Sequence, residues 1–265
     1  MTTFYGYDMS SLPRRFPWLW KGHYRRLFSQ GDLFLVEGNH MRQELVKLGC
    51  PPDKARIQHI GVDTGRFSFV PRSLSGRKVV LLACASFVEK KGLIYALEAL
   101  RQVVPDYPNL EFRVIGGGAL ESRLKAFAEQ HRLKSYVTWL GYQPHHVFLD
   151  ELQRAHVFIQ PSVTARGGDS EGGAPTTLLE AQATGIPVLA TYHADIPEVV
   201  LDGQSGYLVP ERDAEALAQR LQELIDHPGD WPKMGHAGRS HMEQHYDIQT
   251  ETGKLEAIYR DILAN

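Results

Sequence analysis

The sequence has few of the features that mark secreted, membrane-spanning or nucleic-acid-binding proteins. Only two of its 265 residues are cysteines, Cys50 and Cys84, which excludes a disulfide framework and is typical of reduced thiols in a cytoplasm. No apolar run approaches the length of a transmembrane helix, and the first residues, MTTFYGYD, lack the apolar core of a signal peptide. The formal net charge of −2 provides no overall attraction to nucleic acid. We therefore expect a cytoplasmic protein with no nucleic-acid partner.

From residue 78 onward, however, strand and helix patterns alternate regularly. Short apolar runs, the first being KVVLLACA (78–85) and the last GYLVP (206–210), are separated by segments with helical spacing. Strands that are apolar on both faces and alternate with helices predict a parallel, doubly wound α/β sheet. Right-handed crossovers would make this part of the chain a Rossmann-like domain with helices on both faces.

The first part of the chain is less regular. Its sequence predicts short strands at TTFYGYD (2–8), DLFLVEG (32–38) and RIQHIGVD (56–63), with helices between them. Residues 66–76, with their proline, serines and glycines, are predicted to be an irregular linker between two domains.

In doubly wound sheets, ligands bind outside the carboxyl ends of the strands. The segments that leave those ends are residues 86–92, 116–118, 141–143, 161–175 and 191–195. All the unusual residue clusters of this half lie in these segments. We therefore expect the segments to converge on one cleft.

One of them opens the stretch GGDSEGGAPTTLLEAQATGIP (167–187), which carries two glutamates, Glu171 and Glu180. The adjacent glycines at 172 and 173 allow a ligand to approach the backbone closely, because they have no side chain. Carboxylates at both ends of such a segment suit a ligand that offers hydroxyl groups.

The same stretch also predicts an anion site. A helix is expected to begin near Thr176, with Pro175 suited to its first turn. The free N–H groups and the positive dipole end of that helix favour an anion. A sugar linked to a diphosphate offers both the hydroxyls and the negative charge.

Two further turns bear on phosphate binding. Lys91, in the turn EKKG (89–92), can reach a phosphate oxygen as a point charge, although a solvated basic turn is the alternative interpretation. The run of glycines at 116–118 follows a strand, but Glu121 occupies the place of the third glycine of a dinucleotide-binding motif. This run is as readily a tight turn as a phosphate loop.

Histidine pairs and one aromatic segment remain open to two interpretations. The pair His241 and His245 has a spacing compatible with zinc, and His145–His146 could also be metal ligands. Exposed histidines are the simpler explanation of both pairs, and we predict no metal. The segment RRFPWLWKGHYRR (14–26) mixes five basic residues with aromatic ones. It suits either a membrane surface or packing on domain parts outside this chain. No nucleophile set of the Ser/His/Asp or Cys/His kind is readable from the spacing.

Six motifs stand in a characteristic order: EKKG, IGGG, FIQPSVTA, EGGAPTTLLEAQATGIPV, HADIPEV and DGQSGYLVPERD. Together they resemble glycosyltransferase family 4, the retaining GT-B enzymes, over residues 78 to about 246. The resemblance implies two Rossmann-like domains that face each other across a cleft. The second domain of such enzymes binds a nucleotide-sugar donor, usually linked through UDP or GDP, and the first binds the acceptor.

For this chain, the resemblance implies three parts. Residues 1–75 would be the later part of the N-terminal, acceptor-side domain, and residues 76–246 a complete C-terminal domain that binds the donor. Residues 247–265 would form a helix that returns to the first domain. Since the early strands of the first domain would then be missing, we expect an N-terminally truncated enzyme with an exposed apolar surface on residues 1–70.

The resemblance also implies roles for individual residues. Lys91 would neutralise the donor diphosphate and Glu171 would lie beside the hydroxyls of the donor sugar, so we predict these two as catalytic. Glu180 would accept the ribose hydroxyls. No metal cofactor is expected, because a lysine and a helix N-terminus would stabilise the leaving diphosphate, which would itself take the acceptor's proton. The predicted donor-binding residues are Ser86, Gly117, Gly172, Gly173, Ala174, Pro175, Thr176, Thr177 and Glu180.

Three positions depart from the family's pattern. Glu171 and Glu180 have eight residues between them, one more than usual, and the extra residue lies within 172–174. Ser86 holds the place of an arginine that usually joins the lysine at the diphosphate. Tyr5–Gly6 stands where the first domain usually has His-Gly.

The predicted function is the transfer of a sugar, with retention, from a UDP- or GDP-linked donor to a glycan or lipid-linked acceptor. We expect this reaction in cell-surface polysaccharide or glycolipid assembly, with residues 14–26 in contact with the inner face of the membrane. The alternative is a nucleotide-sugar binding module without turnover. A GT-B epimerase or phosphorylase fits the motifs less well.

Overall fold

A computed structural model shows how the alternating pattern folds. It describes residues 1–74, 76 and 78–264, without the side chains of residues 14 and 15. The strands are β1 (Thr2–Thr3), β2 (Phe34–Val36), β3 (Ala55–Ile57), β4 (Val79–Cys84), β5 (Leu110–Ile115), β6 (Val137–Gly141), β7 (Val157–Gln160), β8 (Val188–Thr191) and β9 (Gly206–Val209). The helices are α1 (Tyr7–Ser10), α2 (Leu12–Arg15), α3 (Pro17–Gln30), α4 (Asn39–Lys47), α5 (Leu93–Val103), α6 (Glu121–Gln130), α7 (His145–Arg154), α8 (Thr176–Ala183), α9 (Ile196–Val199), α10 (Ala214–Asp226), α11 (Trp231–His245) and α12 (Ile248–Ala264).

The larger sheet has the order that a doubly wound fold requires. In the described part of the chain its six strands are all parallel and run β6-β5-β4-β7-β8-β9. β4 pairs with β5 along its whole length on one side and with β7 on the other. The winding therefore reverses between β4 and β7, and such a switch point opens a crevice at the carboxyl ends of the strands.

Both faces of this sheet are buried, as its apolar strands predict. Leu81 and Leu82, which are adjacent in β4, are fully buried in two different clusters, because successive strand side chains point to opposite faces. Leu97 of α5 belongs to the first cluster, and Leu152 of α7 belongs to the second. The predicted α/β arrangement, with helices on both faces of a parallel sheet, is confirmed.

The smaller sheet consists, in the residues described, of three parallel strands in the order β1-β2-β3. Its core is aromatic: Phe4, Tyr24, Phe28 and Phe34 are buried, with ring centroids 5.0–6.4 Å apart. The strand predicted at residues 2–8 is wrong beyond Thr3. Gly6, at φ 103°, turns the chain into α1, where the prediction had a strand.

The chain's last helix packs on this smaller unit. Ile258 of α12 is buried against Leu33 and Leu35, beside and within β2. At the start of the helix, Gln58 Nε2 donates a hydrogen bond of 2.9 Å to Glu251 Oε2. No helix among residues 1–74 or 78–264 combines the length and apolar character required to cross a membrane.

The segment predicted as a linker is irregular and largely exposed, but Arg72 anchors it to the larger unit. Arg72 is only 3% exposed and donates hydrogen bonds to Leu152 O at 2.7 Å and Thr184 Oγ1 at 3.2 Å. Burial lowers the pKa of its guanidinium to about 10. Residue 75, the predicted domain boundary, lies outside the described residues, and the three-part division of the chain stays a prediction.

Candidate functional site

The crevice at the switch point brings the loops after β4 and β7 into contact. Gly92, at φ 63°, approaches the other loop so closely that a Cβ there would lie 1.7 Å from Pro161 O. Val163 N–H donates a hydrogen bond of 2.8 Å to Lys90 O. A glycine in the left-handed conformation is therefore required where the two loops cross. This crossing places the EKKG turn beside the GGDSEGG segment.

At the crossing, the two predicted catalytic residues form an ion pair. Lys91 Nζ lies 2.7 Å from Glu171 Oε2, and their side chains are 17% and 6% exposed. Ser162 Oγ donates to the other carboxylate oxygen at 2.7 Å, and Gln160 Nε2 donates to Ser162 Oγ at 2.8 Å. Both Glu171 oxygens are therefore held, and the direction of the carboxylate is fixed from the end of β7.

A buried histidine holds the main chain of Glu171. Glu171 N–H donates to His193 Nε2 at 3.1 Å, and His193 Nδ1 lies 2.6 Å from Glu211 Oε1. Because Nε2 accepts a hydrogen, Nδ1 carries the proton and donates to Glu211. Burial raises the pKa of Glu211, but hydrogen bonds from His193 and Thr164 outweigh burial and leave it below its usual value. His193 is 2% exposed, so this arrangement is rigid.

The neighbouring lysine holds the preceding residues. Lys90 Nζ lies 3.3 Å from Asp169 Oδ1 and 3.0 Å from Ser170 O. Both lysines of the EKKG turn therefore bind the segment 169–171. Lys90 binds a side chain and a main-chain oxygen, and Lys91 binds the carboxylate of Glu171. The segment is fixed before any ligand arrives.

The predicted helix does begin at Thr176. Pro175, at φ −57° and ψ 129°, is the residue before the helix and does not lie within its first turn. No side chain of the described residues caps the helix N-terminus, so the first N–H groups of α8 have no side-chain partner. One turn further on, Glu180 Oε1 lies 2.9 Å from His145 Nε2 at the start of α7.

Two cavities flank this segment. One of about 300 Å³ is lined by Thr176, Glu180 and His145, together with Gly61 and Arg66 of the smaller unit's last loop. The other, of about 710 Å³, is lined by both polar and apolar residues. Its polar lining includes Ser170, His193 and Glu211, and its apolar lining includes Met9, Pro13, Pro17, Met41 and Leu48.

The two units also touch directly at this place. Gly6 of the smaller unit faces Gly172, and a Cβ on Gly172 would lie 2.3 Å from Gly6 Cα. Nearby, Asp195 Oδ1 accepts a hydrogen bond of 2.6 Å from His40 N–H, and Glu198 Oε1 accepts one of 2.8 Å from Asn39 N–H. The N-terminus of α4 is therefore capped by carboxylates from the larger unit.

The remaining predicted donor-binding residues are spread around the crevice. Ser86 is exposed in the loop after β4. Gly117 is buried, and its carbonyl oxygen accepts hydrogen bonds of 2.8 Å from both Phe87 N–H and Tyr142 O–H. The N–H of Gly172 already donates to Ser170 Oγ at 3.2 Å. Gly173, Ala174, Pro175, Thr176 and Thr177 lie in the continuous segment that leads from Glu171 into α8.

Several contacts of this site were not predicted. His193 and His145 bind the predicted glutamates, Glu211 binds His193, and the ring of Tyr142, which is 75% exposed, lies against Gly117. His193 stands in the motif HADIPEV, but the motif alone does not show which backbone group it holds. No group of three or more His, Cys, Asp or Glu side chains that could hold a metal ion occurs in the part of the chain that the structure describes.

The sequence profile of the family Glycosyl transferases group 1 matches residues 67–241, which is more than half of the chain. The chain belongs to this family. The match spans both lysines of the EKKG turn, both glutamates and the His193–Glu211 pair.

Relatives within the family are similar over most of this chain. It is 41% identical over 228 residues to WcaL of Salmonella typhimurium, named for colanic acid biosynthesis, which covers 85% of this chain and 55% of WcaL. It is 34% identical over 258 residues to the amylovoran biosynthesis glycosyltransferase AmsK of Erwinia amylovora, which covers 97% of this chain and 63% of AmsK. The chain thus spans little more than half of these relatives' length.

Among solved structures, the chain is similar to Anabaena Alr3699/HepE in complex with UDP. The TM-score is 0.83 at 16% sequence identity, and the match covers 98% of this chain and 72% of that one. At this identity the similarity concerns the fold, and it confirms the predicted GT-B-type arrangement of Rossmann-like units.

Proposed function

We propose that the chain carries the donor site of a retaining glycosyltransferase of polysaccharide biosynthesis, which transfers a sugar from a UDP- or GDP-linked donor to a glycan or lipid-linked acceptor. The Lys91–Glu171 pair beside the uncapped N-terminus of α8 carries this proposal. A cation and free N–H groups suit a diphosphate, and a fixed carboxylate suits sugar hydroxyls. The names of WcaL and AmsK support a role in polysaccharide assembly.

In the proposed reaction, the bond between the sugar's anomeric carbon and the diphosphate oxygen breaks. The acceptor's hydroxyl oxygen forms a new bond to that carbon on the same face, and its proton passes to the leaving phosphate. Charge grows on the diphosphate as the bond breaks, so donors fixed in advance lower the barrier. Lys91 can serve here, because its ammonium group has three donors and Glu171 occupies one of them at 2.7 Å. We expect no metal.

Glu171 and Glu180 have different proposed partners. Glu171 accepts hydrogen bonds from hydroxyls of the transferred sugar, beside the N–H groups of the segment 173–177. Glu180 accepts the ribose hydroxyls from the wall of the 300 Å³ cavity. His145, 2.9 Å from Glu180, orients that carboxylate. The HepE structure in complex with UDP supports a uridine nucleotide as one candidate donor.

The acceptor is proposed to approach through the 710 Å³ cavity, which opens on the other side of Gly172. The apolar residues of its lining suit the lipid part of a lipid-linked acceptor. Phe16, Trp18 and Leu19 of the adjoining segment are exposed, next to the exposed Lys21 and Arg25. We propose that residues 14–26 contact an anionic membrane surface. The side chains of Arg14 and Arg15 lie outside the described residues.

A nucleotide-sugar binding module without turnover is the second candidate function. It is favoured by Ser86, which leaves one positive charge fewer at the diphosphate than the family's usual arginine. Calorimetry with UDP, GDP and their sugar conjugates, followed by a transfer assay on lipid-linked acceptors, distinguishes the two functions. Binding with transfer supports the enzyme, and binding without transfer supports the module.

The role of Glu180 gives the residue-level test. Glu180→Ala is expected to weaken nucleotide binding about ten- to hundredfold, since a hydrogen bond to a charged group contributes about 1.5–3 kcal/mol. Glu129→Ala, on the exposed face of α6, is the control. The absence of any nucleotide binding by the unmodified chain would contradict both candidate functions.

A further inference from the structure

Glu37 is an acidic residue of the smaller unit that the proposed function does not use. It follows Val36 directly, at the carboxyl end of β2, and its side chain reaches the segment after Glu171. Its own carbonyl oxygen is fixed by His59 Nδ1 at 2.6 Å. The direction of the side chain is therefore set by the end of a strand.

The partner of Glu37 across the crevice is Gly173. A Cβ placed on Gly173 would lie 1.8 Å from Glu37 Oε2, so any side chain at position 173 would displace the carboxyl group. Gly173 lies within the segment 172–174, which has one residue more than the family's usual spacing between the two glutamates. The extra length and the carboxyl group of Glu37 therefore meet at the same place.

The surroundings of Glu37 are acidic. Burial raises its pKa to about 7, and the negative charges of Asp8 and Glu171 act in the same direction. Asp195, Glu198 and His59 line a small cavity together with Glu37. On the larger unit, Lys91 is paired with Glu171 at 2.7 Å. In the described part of the chain, no hydrogen bond reaches either carboxyl oxygen of Glu37.

Resting on the proposed function, we propose that Glu37 is a specificity-determining residue, whose neutral carboxyl group donates a hydrogen bond to a hydroxyl of the donor's sugar. Without a ligand, the carboxyl group of Glu37 contacts Gly173. The sugar would bind beside Glu171 by moving this carboxyl group off Gly173, and Glu37 would then face the sugar from the opposite unit. Glu171, held as a carboxylate by Lys91 and Ser162, can only accept. A neutral acid opposite it supplies the donor, so the two walls bind hydroxyls in complementary ways.

The test compares Glu37→Gln and Glu37→Ala with the control Glu129→Gln on the exposed face of α6. Calorimetry at pH 6 gives the ratio of affinities for UDP-glucose over UDP, and for GDP-mannose over GDP. Glu37→Gln keeps a neutral N–H donor and is expected to hold the preferred ratio within about twofold. Glu37→Ala is expected to lower this ratio about five- to twentyfold, without weakening the binding of the nucleoside diphosphate alone.

The pH dependence sharpens the test. As the pH rises from about 6 to about 8, Glu37 loses its proton and with it the donor, so the ratio of the unmodified protein should fall while that of Glu37→Gln stays level. An unchanged ratio in Glu37→Ala, or an equal loss in Glu37→Gln at pH 6, would overturn the inference. Binding of UDP or GDP with no preference for the sugar conjugate would also overturn the inference, although the proposed nucleotide site would stand. No nucleotide binding at all would remove the proposed function as well.

Discussion

The larger and the smaller unit of this chain differ in the burial of one tryptophan each, Trp231 and Trp18. Trp231, at the start of α11, is 0% exposed and donates a hydrogen bond of 2.8 Å to Leu224 O. Trp18, near the start of α3, is 79% exposed. The same contrast extends to charged groups: Lys91 and Glu171 of the larger unit are paired and largely buried, whereas Lys21 and Arg25 of the smaller unit are exposed.

The comparison separates the unit whose loops are held by internal contacts from the unit that exposes apolar side chains. The six-stranded unit fixes the loops of its site with its own residues, through the crossing at Gly92 and the His193–Glu211 pair. The three-stranded unit has a compact aromatic core but leaves apolar side chains exposed at Tyr5, Tyr7, Phe16, Trp18 and Leu19. A rigid donor side opposite an open acceptor side is the arrangement that the proposed function requires.

Replacing the two tryptophans should give the largest contrast in stability. Trp231→Ala is expected to lower the free energy of unfolding by about 3–5 kcal/mol, because it leaves a cavity in the core of the larger unit. Trp18→Ala should change it by no more than about 0.5 kcal/mol. Urea denaturation followed by circular dichroism measures both. Similar losses in the two variants would break the comparison.

The contact between the two units at Asp195 and the N-terminus of α4, called the seam here, predicts a pH-dependent stability. Burial raises the pKa of Asp195 to about 7, since the N–H groups of His40 and Met41 offset only part of that effect. When the pKa of a carboxyl group is higher in the folded than in the unfolded state, its contribution to stability is fully present at a pH below the unfolded-state pKa, near 4. This contribution is lost as the pH rises toward the folded-state pKa, near 7. The difference amounts to at most about 4 kcal/mol.

Asp195→Asn should remove this pH dependence. Its free energy of unfolding, relative to the unmodified protein, is expected to rise between pH 4.5 and pH 7.5. The matched control is Asp106→Asn, at an exposed position outside the seam. If the difference between Asp195→Asn and the unmodified protein is the same at both pH values, the carboxyl group of Asp195 is not the titrating group.

The exposed aromatic segment predicts the smallest effect. Trp18→Ala should weaken sedimentation with vesicles of anionic lipid by a few-fold, because an interfacial tryptophan loses apolar contact with the bilayer. Tyr259→Ala, which removes a half-exposed ring from α12, serves as the control. A protein that does not sediment with such vesicles at all would contradict a membrane contact through residues 14–26.

Much of the donor side could be predicted from the sequence, because its signals are local. The apolar strands, the start of α8 at Thr176 and the placement of Lys91 and Glu171 at the carboxyl edge all follow from periodicity and topology. The strand predicted at residues 2–8 was wrong beyond Thr3, because Gly6 takes a positive φ, which alternation of residue types does not reveal.

What the sequence could not show are the pairings between distant segments. Glu171 meets His193 across 22 positions, and Glu37 meets Gly173 through the contact of two units. The first contact depends on how loops cross at the switch point and the second on how the two units meet, and neither composition nor spacing carries information on these arrangements. The sequence identifies HADIPEV as a motif, but only the fold shows that its histidine, His193, holds the main chain of Glu171.

The central claim is that Lys91 binds the diphosphate that leaves when the sugar is transferred, and the most direct measurement compares the binding of a nucleoside diphosphate with that of its monophosphate. Calorimetry should show that the unmodified chain prefers UDP over UMP, or GDP over GMP, whichever base binds. Lys91→Met should lower that preference by about tenfold or more, because a charge-assisted hydrogen bond is lost. Lys125→Met, at an exposed pair on α6, should leave it unchanged. An equal preference in Lys91→Met and the unmodified chain would contradict the account.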